Sequence, residues 1–199
     1  MHISEGVLGV PVLAAGAALA AVGTAVGLKK MDYEKLPEVA LFASVFFIAS
    51  LVHVPVGPAA AHLVLNGLCG LLLGWTAFPA ILVGVALQAI LFQFGGLTTL
   101  GVNTFNMAFP AVIMGHLCHK GILGTNSFVR GVFEFIAGAG AILLAAALVA
   151  LSLALTAESF RAVAWLIILT HIPIMIVEGI ITVFVVEFLR RIRPEMLRT

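Results

Sequence analysis

The sequence predicts an all-α integral membrane protein, a bundle of seven transmembrane helices forming one domain over 1–199. Composition is the first reason: 62% of the residues are hydrophobic and 10% carry a formal charge, against about 25% charged in ordinary soluble domains. Patterning is the second. The apolar residues fall into seven runs parted by short polar or Gly/Pro-rich breaks. A run of roughly 20 is what a helix needs to cross a hydrocarbon layer that offers backbone groups no partners. The formal net charge of +1, with no basic run, gives no footing for nucleic acid. Cys69 and Cys118 lie in apolar stretches, are too few for a disulfide framework, and read as packing residues. The opening lacks the basic segment and cleavage site of a secretory signal, so Met1 is expected to survive.

Taken in order, the first span is expected over 7–28, ending in "LKKMDYEKLP", and the second over 38–53, ending in the turn "HVPVGP". Spans over 59–75 and 78–94 are separated only by "WTAFP", a tight hairpin with Trp75 suited to an interface. "GGLTTLG" interrupts the pattern before a fifth helix over 102–117, which leads into "HLCHKGILGTNS". Two long helices over 128–155 and 162–189 flank "TAESFR". Small residues recur at four-residue spacing, as in "AAGAALAAVGTAVG" with Gly23 and Gly27, and in "AGAGAILLAAALVA". Such surfaces let helices approach closely, either inside the bundle or against another membrane subunit.

With seven spans, Lys29, Lys30, Lys35, Lys120, Arg130 and the tail "RRIRPEMLR" fall on one side, and only Arg161 on the other. The positive-inside rule makes the basic side cytoplasmic. The amino terminus is then outside and the carboxyl terminus inside. His2, His53, His62 and "GGLTTLGVN" collect in the outer half, whereas His116 and His119 fall on the inner side.

The opening "MHISEG" carries the chemistry. A terminal amine, the deprotonated peptide nitrogen of His2 and its imidazole close two fused chelate rings on one divalent ion, leaving one planar position for another imidazole. Four nitrogens in a plane suit Ni²⁺ or Cu²⁺ better than tetrahedral Zn²⁺. His62 is the preferred fourth donor, one helical turn before Asn66 in the expected third helix. His53 competes but adjoins the proline-rich turn. Glu5, Asn66, Asn103 and Asn106 are candidates to satisfy the second nitrogen of a buried imidazole. "FGGLTTLGVNTFNM" reads as loop then helix, either a site wall or an ordinary turn. Elsewhere, Glu134 lies one turn from Arg130 and Glu187 is near "RRIR", consistent with interfacial ion pairs. His171 and Glu178 share a face beside Pro173 and read as an interior hydrogen-bonded pair. "HLCH" at 116–119 reads as a polar cap more readily than as a soft-metal site.

Three ordered motifs, "MHISEG", "HVPVGPAAAHLVLNGLCGLLLG" and "FGGLTTLGVNTFNMAFPA", resemble the CbiM/NikM family, the substrate-binding components of energy-coupling-factor transporters for cobalt and nickel. The likeness is strong over roughly the first 115 residues and continues at "VEGIIT" around Glu178. It implies a seven-helix bundle whose amino terminus turns into the centre of the outer half. It also implies a planar metal site of the Met1 amine, the His2 amide and imidazole, and His62, with Ni²⁺ or Co²⁺ as transported substrate. The expected partners are a membrane coupling subunit, cytoplasmic ATPases and a small CbiN- or NikN-type component, in the inner (plasma) membrane of a prokaryote. "AAA" stands before His62 where many relatives have "TS" or "GTS".

No G-x-x-x-x-G-K-[ST] occurs, so energy must come from partners. An enzyme is not expected, since neither H-E-x-x-H nor a nucleophile with a base appears. A retinal receptor would need a lysine in mid-membrane, and every lysine here is at a span end. A stand-alone divalent-metal channel is the remaining alternative, although its expected acidic rings are missing.

Overall fold

The computed structural model describes residues 1–56 and 59–197, and side chains at all of these except 53–61. Among them the chain forms α1 (Val10–Lys29), α2 (Leu36–Ala49), a hairpin of β1 (His53–Val56) and β2 (Ala59–His62), α3 (Asn66–Leu73), α4 (Ala77–Phe92), α5 (Leu100–Ile122), α6 (Ser127–Thr156) and α7 (Arg161–Ile192). Four stretches are long and apolar enough to cross a membrane: Val10–Lys29, Asn66–Phe92, Ser127–Thr156 and Glu158–Ile192.

Local chemistry sets the ends. Pro11 and Pro37 lie in the first turns of α1 and α2, where a missing N–H costs nothing. Asn126 caps α6, its side-chain oxygen accepting from the Phe128 and Val129 N–H groups. α4 closes on Gln93 in the left-handed region (φ 57°), so that the Phe94 N–H donates to the Gln88 carbonyl and the chain doubles back.

The expected third helix over 59–75 is corrected. Ala59–His62 pairs antiparallel with His53–Val56, placing His62 opposite His53, and the helix begins only at Asn66. Three alanines favour helix locally, yet the pairing with β1 overrides that weak preference. His62 therefore precedes the helix, and the shared helical face with Asn66 does not exist. The second run is likewise split, since α2 stops at Ala49 and His53 opens the strand.

Backbone contact holds the centre. A Cβ on Gly70 would strike the Ala111 carbonyl, and one on Gly115 the Gly70 carbonyl, so α3 and α5 meet main chain to main chain. The glycines of α1 also face inward: Gly16 against Val102, Gly23 against Phe78 and Gly27 against Pro79. Of the two readings of that small-residue surface, the glycines serve internal packing. α1 turns outward the row Ala14, Ala18, Ala21 and Ala25, flanked by the exposed Leu19 and Val22. In α6, Ala137, Gly138, Ala141, Ala145 and Ala146 are buried, with Gly138 against Thr182 of α7. At the end of the bundle away from the amino terminus, Glu187 pairs with Arg190 of "RRIR" as expected (3.3 Å), whereas the expected Arg130–Glu134 pair gives way to partners across helices. Glu134 pairs with Arg190 (3.0 Å), and Arg130 pairs with Glu187 (3.1 Å). Partners across helices are closer there than partners one turn apart.

Candidate metal centre

The first residues fold back into the bundle because they are tied from several sides. Ile3 is gripped like a strand by the wholly buried Asn103, which accepts from its N–H (2.9 Å) and donates to its carbonyl (3.0 Å). Glu5 accepts from the Thr98 N–H at 3.0 Å. Ile3 and Leu8 pack with Val102, Val149 and Leu153. The segment after α4 comes close enough to require glycine: Gly95 has φ +81°, and a Cβ there would lie 2.6 Å from Asn103 Nδ2. The segment expected as site wall or turn thus walls the amino terminus.

Met1 is buried at 4% exposure, with its nitrogen 2.6 Å from His62 Nε2. His2 Nδ1 lies 3.1 Å from the same atom. The second nitrogens of both rings decide what those distances mean. His2 Nε2 donates to Gln88 Oε1 at 2.8 Å, because Gln88 Nε2 is turned to the Phe46 carbonyl. His62 Nδ1 donates to the Leu63 carbonyl at 2.9 Å. With those protons placed, His2 Nδ1 and His62 Nε2 both present lone pairs. Two acceptors facing each other at 3.1 Å have no hydrogen between them and repel, unless a cation lies between. Burial above all keeps both imidazoles neutral, and any positive charge on the Met1 amine would lower them further. His2 is pushed down to about 3, even though the Gln88 bond raises it, and His62 falls well below its ordinary value. Burial takes the Met1 amine down to about 5, so it too is uncharged at neutral pH.

At metal–nitrogen distances of about 2.0–2.1 Å, adjacent corners of a square are about 2.8–3.0 Å apart. The spacings of 2.6 and 3.1 Å bracket that value. In the fused chelate the amine and imidazole flank the amide, so the fourth corner must adjoin both of them, and His62 Nε2 does. Among the described residues no three His, Cys, Asp or Glu side chains gather closely enough to hold a metal, so a site here needs main-chain nitrogen. Phe94 covers the pair, 5.9 Å from the His2 ring and 6.3 Å from that of His62.

The remaining candidates disperse. Asn66 donates to the Met107 carbonyl (3.0 Å), and Asn106 to Ser152 Oγ (3.3 Å), so neither supports an imidazole. Glu5 and Asn103 hold the backbone instead of a ring nitrogen. The His53 side chain lies outside the described residues. His116 is exposed and Cys118 buried, so "HLCH" does not converge. The expected His171–Glu178 pair is also corrected: His171 Nδ1 donates to its own helix at the Ile167 carbonyl (2.7 Å), and Glu178 accepts from the Val64 and Leu65 amides. Seven residues put them about two turns, or about 10 Å, apart along the helix, which separates them more than a shared face joins them. Sequence reasoning missed Gln88 and Phe94. A lone carboxamide inside the apolar run "FPAILVGVALQAILF" was the available signal for the former.

Comparison with known proteins bears on the same residues. A Haemophilus influenzae protein named for metal transport is 45% identical over 99% of this chain and 97% of its own length. The cobalt transport protein CbiM of Sorangium cellulosum is 32% identical over 99% of this chain and 94% of its own. A fused nickel transport protein, NikMN of Rhodobacter capsulatus, is 38% identical over 54% of this chain and 33% of its own. The crystal structure of a truncated transition metal transporter superposes with a TM-score of 0.75 at 27% identity, over 96% of this chain and 99% of that one. Since the model of the cobalt uptake substrate-specific transmembrane region matches residues 2–196, nearly the whole bundle with its half-buried His2 and buried His62, the chain belongs to the CbiM family of membrane transport proteins.

Proposed function

We propose that this chain, acting as one domain, captures Ni²⁺ or Co²⁺ with high affinity as the substrate-binding subunit of an ATP-driven energy-coupling-factor importer. The carrying observation is the convergence of the Met1 nitrogen and the lone-pair nitrogens of His2 and His62 at 2.6 and 3.1 Å. The metal takes the Met1 amine, the His2 amide nitrogen and Nδ1, and His62 Nε2. Among the described residues nothing accepts the His2 amide N–H, so its proton is free to leave. Planar four-nitrogen geometry favours Ni²⁺ modestly over Co²⁺. We place the site end outside and the basic end in the cytoplasm of a prokaryotic inner membrane. Seven spans then require α2 and α5 to cross as well, and the Asn66–Phe92 stretch to count as two, α3 and α4. Release follows reorientation or opening of the amino-terminal loop on a membrane coupling subunit driven by ATPases. The outward row Ala14, Ala18, Ala21 and Ala25 is a face on which such a subunit fits closely. The fused NikMN relative supports a small NikN-type component as a further partner.

Proteoliposomes test the energy source. Concentrative uptake is expected only when the coupling subunit, ATPases and ATP are present with this chain. Accumulation by the chain alone without an ion gradient would overturn the reading, and passive equilibration alone would leave the stand-alone channel or facilitator standing.

The pH dependence is distinctive. An exposed amine at its ordinary value of 8.0 competes with metal below pH 8, whereas one lowered to about 5 competes only below pH 5. At pH 7 binding should therefore release about one proton, from the His2 amide, where a flexible peptide of the same sequence releases about two. Titration calorimetry in buffers of different ionisation enthalpy counts them.

Gln88→Leu frees the His2 tautomer. It should weaken metal affinity by about 10- to 100-fold, the usual cost of losing a group that orients a metal-binding histidine. An unchanged competition titration would show that His2 holds its tautomer unaided.

A further inference from the structure

Glu178, near the middle of α7, is wholly buried and outside the donor set. Its carboxylate reaches the three-residue link between His62 and α3. Oε1 accepts from the Val64 and Leu65 N–H groups, and Oε2 is 2.9 Å from the Leu65 nitrogen. These two N–H groups stand where a helix begins and has no intrahelical partners for its amides. Leu65 holds φ 55°, a left-handed conformation that a leucine rarely adopts. Something must hold the link in that shape, and the carboxylate is placed to do so.

The Val64 N–H and the Leu63 carbonyl belong to one planar trans peptide, so they point in opposite directions. Glu178 grips the N–H side, and the carbonyl side accepts from His62 Nδ1 at 2.9 Å. Fixing one side of the peptide fixes the other. A carboxylate hydrogen-bonded to a peptide N–H also enriches its carbonyl oxygen, which strengthens the next bond in the chain. Metal-binding histidines commonly have a carboxylate or carbonyl on the second nitrogen; here the two are in series.

We propose that Glu178 is the positioning residue for the fourth corner of the site, acting through the Leu63–Val64 peptide to fix the tautomer and aim of His62. The inference rests on the metal-capture reading. It also makes α7 the element that feels whether His62 is engaged.

The experiment measures Ni²⁺ affinity in detergent for the parent, Glu178→Gln, Glu178→Asp and Glu178→Leu. Apo thermal unfolding verifies that each variant is folded. Gln keeps the reach of one acceptor oxygen and loses the charge, whereas Asp keeps the charge and draws both oxygens back by a methylene. The expected order of affinity is parent, Gln, Asp, Leu, with Leu at least about tenfold weaker than the parent. Cu²⁺ as a probe should show four equatorial nitrogens by electron paramagnetic resonance in the parent and three in Glu178→Leu. In a His62→Ala background, Glu178→Leu should change the residual affinity by less than about twofold, because its route to the metal is already cut. Asp binding more tightly than Gln, or an equal loss in the His62→Ala background, overturns the inference while leaving metal capture intact. If Leu does not fold, the Gln and Asp order decides. A parent that binds no Ni²⁺ overturns both readings.

Discussion

Replacing His62 by alanine is expected to weaken Ni²⁺ binding by at least about 100-fold, about 2.7 kcal/mol. The variant keeps the Met1 amine and both His2 nitrogens, so the fused chelate persists, but the corner beside the amine and His2 Nδ1 is lost. No other described imidazole replaces it, and Asn66, Asn103 and Asn106 donate to the Met107 carbonyl, the Ile3 carbonyl and Ser152 Oγ. The removed imidazole stands 4.9 Å from that of His2 and beneath Phe94. A small cavity there should lower apo stability only modestly, so folded protein should remain for measurement. Equilibrium competition with a chelator of known affinity is the readout. His53→Ala in parallel should leave most of the binding. The reverse result would transfer the role to His53, and loss in both would point to a shared hairpin network.

The second large effect concerns the amine. Protein that retains a formyl group on Met1, obtained by inhibiting deformylation and verified by mass spectrometry, should bind at least about 100-fold more weakly than deformylated protein. The formyl group converts a basic nitrogen into an amide with a delocalised lone pair. It also demands space where Met1 is 4% exposed and its nitrogen is 2.6 Å from His62 Nε2. Equal affinities would show that the amine is not a ligand, and the planar site would then need another donor.

The helical, membrane-embedded class was legible because it depends on properties each residue carries with it. Apolar length, the glycine and proline breaks and the basic ends state where a helix can lie, and α1, α4, α5, α6 and α7 begin and end within a few residues of their expected bounds, α5 running furthest past its expected end. His2 was equally legible, since its distance from the terminal nitrogen is fixed by covalent geometry alone. His62 was singled out by its chemistry, and the structure places its Nε2 beside the Met1 nitrogen and His2 Nδ1, although the helix assumed for it was wrong. The alanines before it favour helix by a few tenths of a kcal/mol each, and neither the pairing of β2 with His53–Val56 nor a carboxylate 113 residues further on can be read from them. The same limit hid Gln88, whose partner is 86 residues away. It also left the α1 glycines undecided between inner and outer faces until Phe78, Pro79 and Val102 were packed against them. Sequence determined which groups carry the nitrogens of the proposed planar site. Tertiary structure decided the protons, because a histidine presents its free lone pair opposite whichever nitrogen finds an acceptor, and the acceptors for His2 and His62 come from elsewhere in the fold.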